Sequence, residues 1–250
     1  MKTLPKTKLE FHALSDRGRV RPGNEDAFYA NGEAGLFIVA DGMGGASAGA
    51  VAAEIIVEVL PLLIRQRVAS GRGSKTKLGK SGLRDALCDL SNELRRRSEG
   101  QPGLHGMGAA VVAARISGNR AWIAHLGDCR AYLWRGRSLE QLTKDHSIVQ
   151  MLIDSGELTP EEAARHPARG RLTRFVGMAG EPLPDTRSLE LQAGDKLLLC
   201  SDGLSGMLNG AEIYGILKQR RSPRTICDRL VLAANDAGGK DNVTVLMVSI

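Results

Sequence analysis

The stretch GLFIVADGMGGASAG (35–49) decides how this chain is read. Five apolar residues in a row, Leu36 to Ala40, are too short for a helix and have no polar face, so they predict a strand buried on both sides. The run then breaks at Asp41 and dissolves into glycines. A strand entering a glycine-rich turn is often a phosphate cradle, but here the break opens on a carboxylate. The alternative is a corner that holds a metal ion.

The same pattern recurs. AWIAHLG runs into Asp128 and KLLLCS runs into Asp202-Gly203, while Asp241 stands just before the last apolar run, VTVLMVSI (243–250). Any single Asp-Gly pair reads as a turn. A carboxylate at the end of several buried strands is different, because strand ends fix a side chain rigidly. If those ends converge, the four acids repel one another and need cations to stay ionised. An all-oxygen donor set suits Mg²⁺ or Mn²⁺, whereas zinc favours histidine or cysteine. VRPGNED adds Arg21 beside Glu25 and Asp26. This is either a solvated turn, or a guanidinium fork for phosphate with acids that order water around a metal.

Outward from these motifs, strands are predicted at 8–15, 26–30, 35–40, 107–116, 119–126, 129–135, 172–176, 186–191, 195–200 and 243–250. A helix starts at Ser47 with Val51, Ile55, Val59 and Leu62 on one face, and Pro61 should end or kink it. Leu83, Leu87, Leu90 and Leu94 mark a second helix after a glycine-rich basic loop at 69–82. A third is expected over 146–165, followed by the loop HPARGR. Ser222-Pro223 opens a fourth, with Ile226, Leu230, Ala233 and Ala234 on one face. Strands grouped in meanders, with helices in blocks, predict α+β layers rather than a parallel sheet.

The bulk numbers exclude several classes. The 250 residues are 42% hydrophobic and 25% charged, the balance of a soluble protein with a sizeable core. The net charge of +6 is spread along the chain without interleaved aromatics, which argues against nucleic acid and for mild attraction of phosphorylated partners. The four cysteines form no CxxC pair, so neither a zinc site nor a disulfide framework is expected, in keeping with a cytoplasmic location. No segment reads as a signal peptide or membrane span. GSKTKLGKS (73–81) resembles a phosphate-binding P-loop, but Ser74 stands where that loop needs glycine and no buried strand precedes it.

The ordered series SDRGRVRPGNEDA (15–27), VADGMGGASAG (39–49), MGAAVVAA (107–114), HLGDCRAYL (125–133), LTKDHSIVQMLIDSGELT (142–159), LTRFVG (172–177), LLCSDGLSGML (198–208) and GGKDNVTVLMV (238–248) resembles the bacterial PP2C-type (PPM) metal-dependent serine/threonine phosphatases from about Leu9 to Ile250. The resemblance implies one domain over 1–250. Its fold should be an αββα four-layer sandwich, two central antiparallel β-sheets flanked by helices. It implies two Mn²⁺ or Mg²⁺ ions, with Asp41 bridging them and the Gly42 carbonyl, Asp202 and Asp241 as further ligands. Asp128 matches the ligand of a weaker third ion, Arg21 the phosphate-binding arginine, and Glu25 and Asp26 the outer acids acting through water. Residues 146–170 match the variable flap.

The implied reaction is in-line attack on phosphoserine or phosphothreonine by a metal-activated water, with no phosphoenzyme. The implied partners are phosphorylated proteins, typically of a Hanks-type kinase, and the expected state is a monomer. Met43 and Ala46 stand where relatives carry histidine, so the proton donor to the leaving group is unassigned. His125 reads as a packing residue. The rival expectation is a non-catalytic phosphoprotein-binding module on the same fold. A complete acid set argues against it.

Overall fold

The computed structural model describes residues 9–45, 48–69, 77–104 and 106–250. Ten strands form two five-stranded antiparallel sheets. The first contains β1 (Glu10–Asp16), β10 (Val243–Ser249), β9 (Lys196–Cys200), β6 (Arg130–Arg135) and β7 (Ser138–Gln141), in that order across the sheet. The second runs β2 (Asp26–Asn31), β3 (Leu36–Met43), β4 (Gly108–Ser117), β5 (Arg120–Leu126) and β8 (Asp185–Glu190).

Why the strands read as unbroken apolar runs is now clear, because both faces of each sheet are covered. Along β3, Phe37 and Val39 face the other sheet, where they meet Leu197, Leu199, Leu246 and Val248. Ile38 and Ala40 face outward onto helices α1 (Ala48–Ala69) and α2 (Lys77–Gly100). On the opposite side, Leu198, Val245 and Met247 pack under α5 (Asp202–Ser205), α6 (Gly210–Leu217) and α7 (Pro223–Asp236). The layers are therefore helix, sheet, sheet, helix, as the resemblance implies. Period-2 alternation decides which core each residue joins.

The helices depart from expectation in instructive ways. Pro61 lies inside α1 without ending it. The buried face of α1 is Ala52, Ala53, Ile56, Leu60 and Ile64, and Leu62 is 49% exposed, so the expected face is rotated. That burial outweighs the hydrogen bond lost at proline. The second helix buries Leu83, Leu87, Leu90 and Leu94 as expected. It begins at Lys77 inside the predicted loop, and the rest of that loop, 70–76, lies outside the described residues, as do Ala46 and Ser47.

The expected helix over 146–165 is two short ones, α3 (Ile148–Asp154) and α4 (Pro160–Ala163). Gly156, at φ +79°, breaks the turn between them. Thr159 then caps α4 reciprocally with Glu162. The expected strand at 172–176 is reduced to two isolated bridges, Ser147 to Leu172 and Ala109 to Val176. Its two ends pair with different segments, so no ladder forms. Among the described residues, no helix is long and apolar enough to cross a membrane.

Candidate metal centre

The sheet register brings two acids face to face. Antiparallel pairing of β2 with β3 places Asp26 directly opposite Asp41. Asp41 continues the parity of Phe37 and Val39, so both carboxylates lie on the face toward the other sheet. Like charges opposite each other on one sheet face are destabilising. From the second layer, Ser201 at the end of β9 donates its Oγ–H to Asp26 Oδ2 at 2.7 Å. Asp26 Oδ1 is buried and has no hydrogen-bond partner.

Asp202 opens α5 immediately after Ser201. Asp128 sits where the chain crosses from β5 to β6, beyond Gly127, whose φ is +100°. A Cβ on Gly127 would lie 2.4 Å from the Ala110 Cβ. Asp241 precedes β10; its Oδ1 accepts the N–H of Asn242 at 2.9 Å, and its Oδ2 accepts Nη2 of Arg21 at 2.7 Å.

The carboxylates feel one another. Burial, then the charges of Asp26, Asp202, Asp128 and Asp241, push Asp41 well above the usual carboxylate range. Burial raises Asp26 to about 7, against the nearby Thr244 hydroxyl and the Ser201 hydrogen bond, which lower it. Burial and Asp202 raise Asp128 to about 8. Asp202 rises through burial and Asp241, partly offset by Asp41. Arg21 rises through its bond to Asp241. The structure thus brings Asp26, Asp41, Asp128, Asp202, Asp241 and Arg21 into one field, from segments up to 220 residues apart.

Gly42 and Glu25 complete the corner. Gly42 N–H donates to the Glu25 carbonyl at 3.1 Å. A Cβ on Gly42 would lie 2.0 Å from the carbonyl oxygen of Gly49, so only glycine lets β3 and α1 approach this closely. Gly203 plays the same part against Asn242, whose carbonyl oxygen lies 1.9 Å from the Cβ position.

Three side chains escaped the sequence reading. Ser201 binds Asp26, and Asn242 binds three backbone groups of the segment from Arg17 to Glu25. His146 accepts Gly127 N–H at Nδ1 (3.2 Å) and bonds Asp185 through Nε2 (3.1 Å). His146 stacks on His125, whose Nε2 bonds the Lys144 carbonyl at 2.8 Å. Among the described residues, His125, His146 and Asp185 form the one acid–histidine trio whose ligand atoms lie within 4.8 Å of one another. The aspartates are more widely spread. That trio is nevertheless tied up internally, with Arg174 also on Asp185 at 3.1 Å. It is a strut between the Asp128 turn and β8.

A cleft of about 610 Å³ leads away from Asp128 and Asp202. Val149 and Ile153 of α3, Ala163 of α4, and Met207 wall it. Beneath it, Arg130 and Asp145 form a two-point ion pair at 2.8 and 2.7 Å. The segment 146–170 therefore borders the acidic centre.

The chain belongs to the protein phosphatase 2C family, whose model matches residues 20–237. It is 38% identical over 237 residues to the serine/threonine phosphatase stp of Listeria monocytogenes, covering 94% of this chain and 93% of that one. To protein phosphatase PhpP of Streptococcus pneumoniae it is 38% identical over 259 residues, covering 96% and 97%. Among solved structures, the S. agalactiae serine/threonine phosphatase superposes with a TM-score of 0.88 at 33% identity, covering 97% and 99%. The catalytic domain of the serine/threonine protein phosphatase PstP, in complex with two manganese ions, gives 0.79 at 37% identity, covering 96% and 97%.

Proposed function

We propose that this chain is a metal-dependent serine/threonine protein phosphatase working through the acidic centre at the sheet ends. The observation that carries the reading is the pair Asp26 and Asp41, opposed in register and desolvated, with one buried oxygen of Asp26 unpartnered. A protein gains nothing in stability from such an arrangement. A hard divalent cation relieves it, and the all-oxygen donor set fits Mn²⁺ or Mg²⁺.

In this reading Asp41, the Gly42 carbonyl, Asp202 and Asp241 would hold the ions, and Asp128 would hold a weaker further one. Glu25 and Asp26 order the surrounding water. When bound, the ions supply an activated water and neutralise charge on the phosphoryl group. Arg21 orients the phosphoryl oxygens and offsets their negative charge in the transition state. His146 has both ring nitrogens engaged and His125 is buried against Lys144, so neither is the proton donor to the leaving oxygen in this reading.

The named relatives are phosphatases, which favours catalysis over a purely binding role. Phosphorylated proteins of a serine/threonine kinase are the proposed substrates. The proposed enzyme is a single-domain cytoplasmic monomer, a setting consistent with four free cysteines. The test is Mn²⁺-dependent release of phosphate from p-nitrophenyl phosphate and a phosphothreonine peptide. EDTA should abolish it, and Asp202→Asn should lower it by about a thousandfold while the protein stays folded. Turnover that persists in EDTA rules the metal reading out.

A further inference from the structure

Asn242 engages every polar group of its side chain with a single loop. Its Nδ2 donates to the carbonyls of Arg17 at 2.9 Å and Gly23 at 2.8 Å, and its Oδ1 accepts the N–H of Glu25 at 2.8 Å. The residue is only 6% exposed. The orientation of the amide is unambiguous, because two of its partners can only accept and the third can only donate. No other side chain of this size offers that set: aspartate lacks the donors, and glutamine is a methylene longer.

The loop so held carries Arg21 between the two pinned carbonyls. It also wraps the 239–242 turn from outside. Arg19 N–H donates to the Gly239 carbonyl at 2.7 Å, and a Cβ on Gly18 would lie 2.2 Å from the Asp241 carbonyl oxygen. Arg21 then returns to Asp241, the neighbour of Asn242 in the chain. The guanidinium is half-exposed, and among the described residues that ion pair is the hydrogen bond its side chain makes. Its position therefore depends on its backbone, which Asn242 pins on both sides of Arg21, together with the Arg19–Gly239 and Gly18–Asp16 bonds.

We propose that Asn242 is a positioning residue for Arg21, fixing the loop that presents the guanidinium to the phosphoryl group. This rests on the phosphate-binding role proposed above for Arg21. Misplacing the guanidinium by an ångström weakens its grip on phosphate in bound substrate and product as well as in the transition state.

The experiment compares Asn242→Ala, Asn242→Asp, Arg21→Ala and the Arg21→Ala/Asn242→Ala double variant at saturating Mn²⁺, using a phosphothreonine peptide and inorganic phosphate as product inhibitor. Both Asn242 variants are expected to raise KM and the inhibition constant of phosphate by about tenfold, with a smaller change in kcat. The Mn²⁺ dependence should stay that of the wild type. The double variant should match Arg21→Ala alone, because both changes remove one function. Additive losses, or folded Asn242 variants with unchanged phosphate affinity, overturn the proposal. If Arg21→Ala itself leaves phosphate affinity intact, the role of Arg21 falls and the proposal with it, whereas the EDTA test of the metal centre stands apart. Hydrogen exchange on the wild type gives an arm independent of variant folding. The Glu25 amide should exchange as slowly as those of β10, and fast exchange there shows that the pin is not formed.

Discussion

Stripped of divalent ions, the protein should lose stability as the pH rises from 6.5 to 8. Asp26 is raised from 3.8 to about 7 and Asp128 from 3.8 to about 8, in each case first by burial. A carboxyl group whose value is raised by folding stabilises the fold while it is protonated, so its contribution is complete below 3.8 and is lost as the pH climbs through the folded value. His146 works in the opposite sense at lower pH. Burial, then His125, lowers it from 6.5 to about 4, so its contribution is lost as the pH falls from 6.5. The two effects oppose each other below pH 6.5, and only the carboxylates act above it. Over the upper window Asp26 titrates for about half a pH unit and Asp128 for about one and a half. At about 1.4 kcal/mol per unit, these two groups together lose about 3 kcal/mol, and Asp41, raised in the same sense, adds to the loss. For a chain of this length the share of the two groups alone lowers Tm by roughly 6–12 °C. The assay is differential scanning calorimetry in EDTA at the two pH values, repeated with Mn²⁺ and with Asp26→Asn. Mn²⁺ should abolish the loss, since bound cations hold the carboxylates ionised, and Asp26→Asn should shrink it. Equal Tm at both pH values in EDTA would refute the reasoning.

Gly42→Ala should destabilise the fold by about 3 kcal/mol or more and lower Mn²⁺ affinity, read by chemical denaturation and calorimetric titration, because its Cβ would sit 2.0 Å from the Gly49 carbonyl oxygen. His146→Leu leaves the Gly127 N–H without its acceptor and should cost about 1–3 kcal/mol. The same variant should remove a destabilising contribution as the pH falls from 6.5 towards 4, so its Tm should gain more on acidification than that of the wild type, and an equal pH dependence in the two proteins would show that His146 does not titrate there.

Local patterning carried the strands well, because two-sided burial leaves no polar residue to confuse the period. Phe37 and Val39 join one core while Ile38 and Ala40 join another, and the sequence run LFIVA already implies both. It failed where a local breaker and a tertiary surface compete. Pro61 announces an end to α1, yet Leu60 and Ile64 on either side of it are buried, and packing wins. The face of α1 was misread because valines and isoleucines ring much of it. α6 went unseen although its signal was present: Asn209 and Glu212 form a reciprocal cap ahead of Ile213 and Leu217. The loop before it is short, and the period is too brief to stand out. In the site, the acids were legible as breaks in apolar runs. Asn242, Ser201 and His146 were not, since their value lies in partners at least 19 residues away in the chain.

The placement of the acids also explains why the site needs both sheets. Asp26 and Asp41 lie on strands of one sheet, Asp202 follows β9 and Asp241 precedes β10 of the other, and Asp128 stands at the crossing between them. Closing the sandwich buries Phe37, Val39, Leu199 and Leu246 behind the acids, each contributing about 2 kcal/mol. The same closure that stabilises the core therefore draws the partly buried carboxylates together at its edge. In the reading proposed above, the apolar core holds the carboxylates together against their repulsion, and a divalent cation would offset that cost. Cation affinity should then depend on the layered core as well as on the ligands: a cavity made at Leu199 should weaken Mn²⁺ binding in calorimetric titration without removing a ligand oxygen, and unchanged affinity would refute the link.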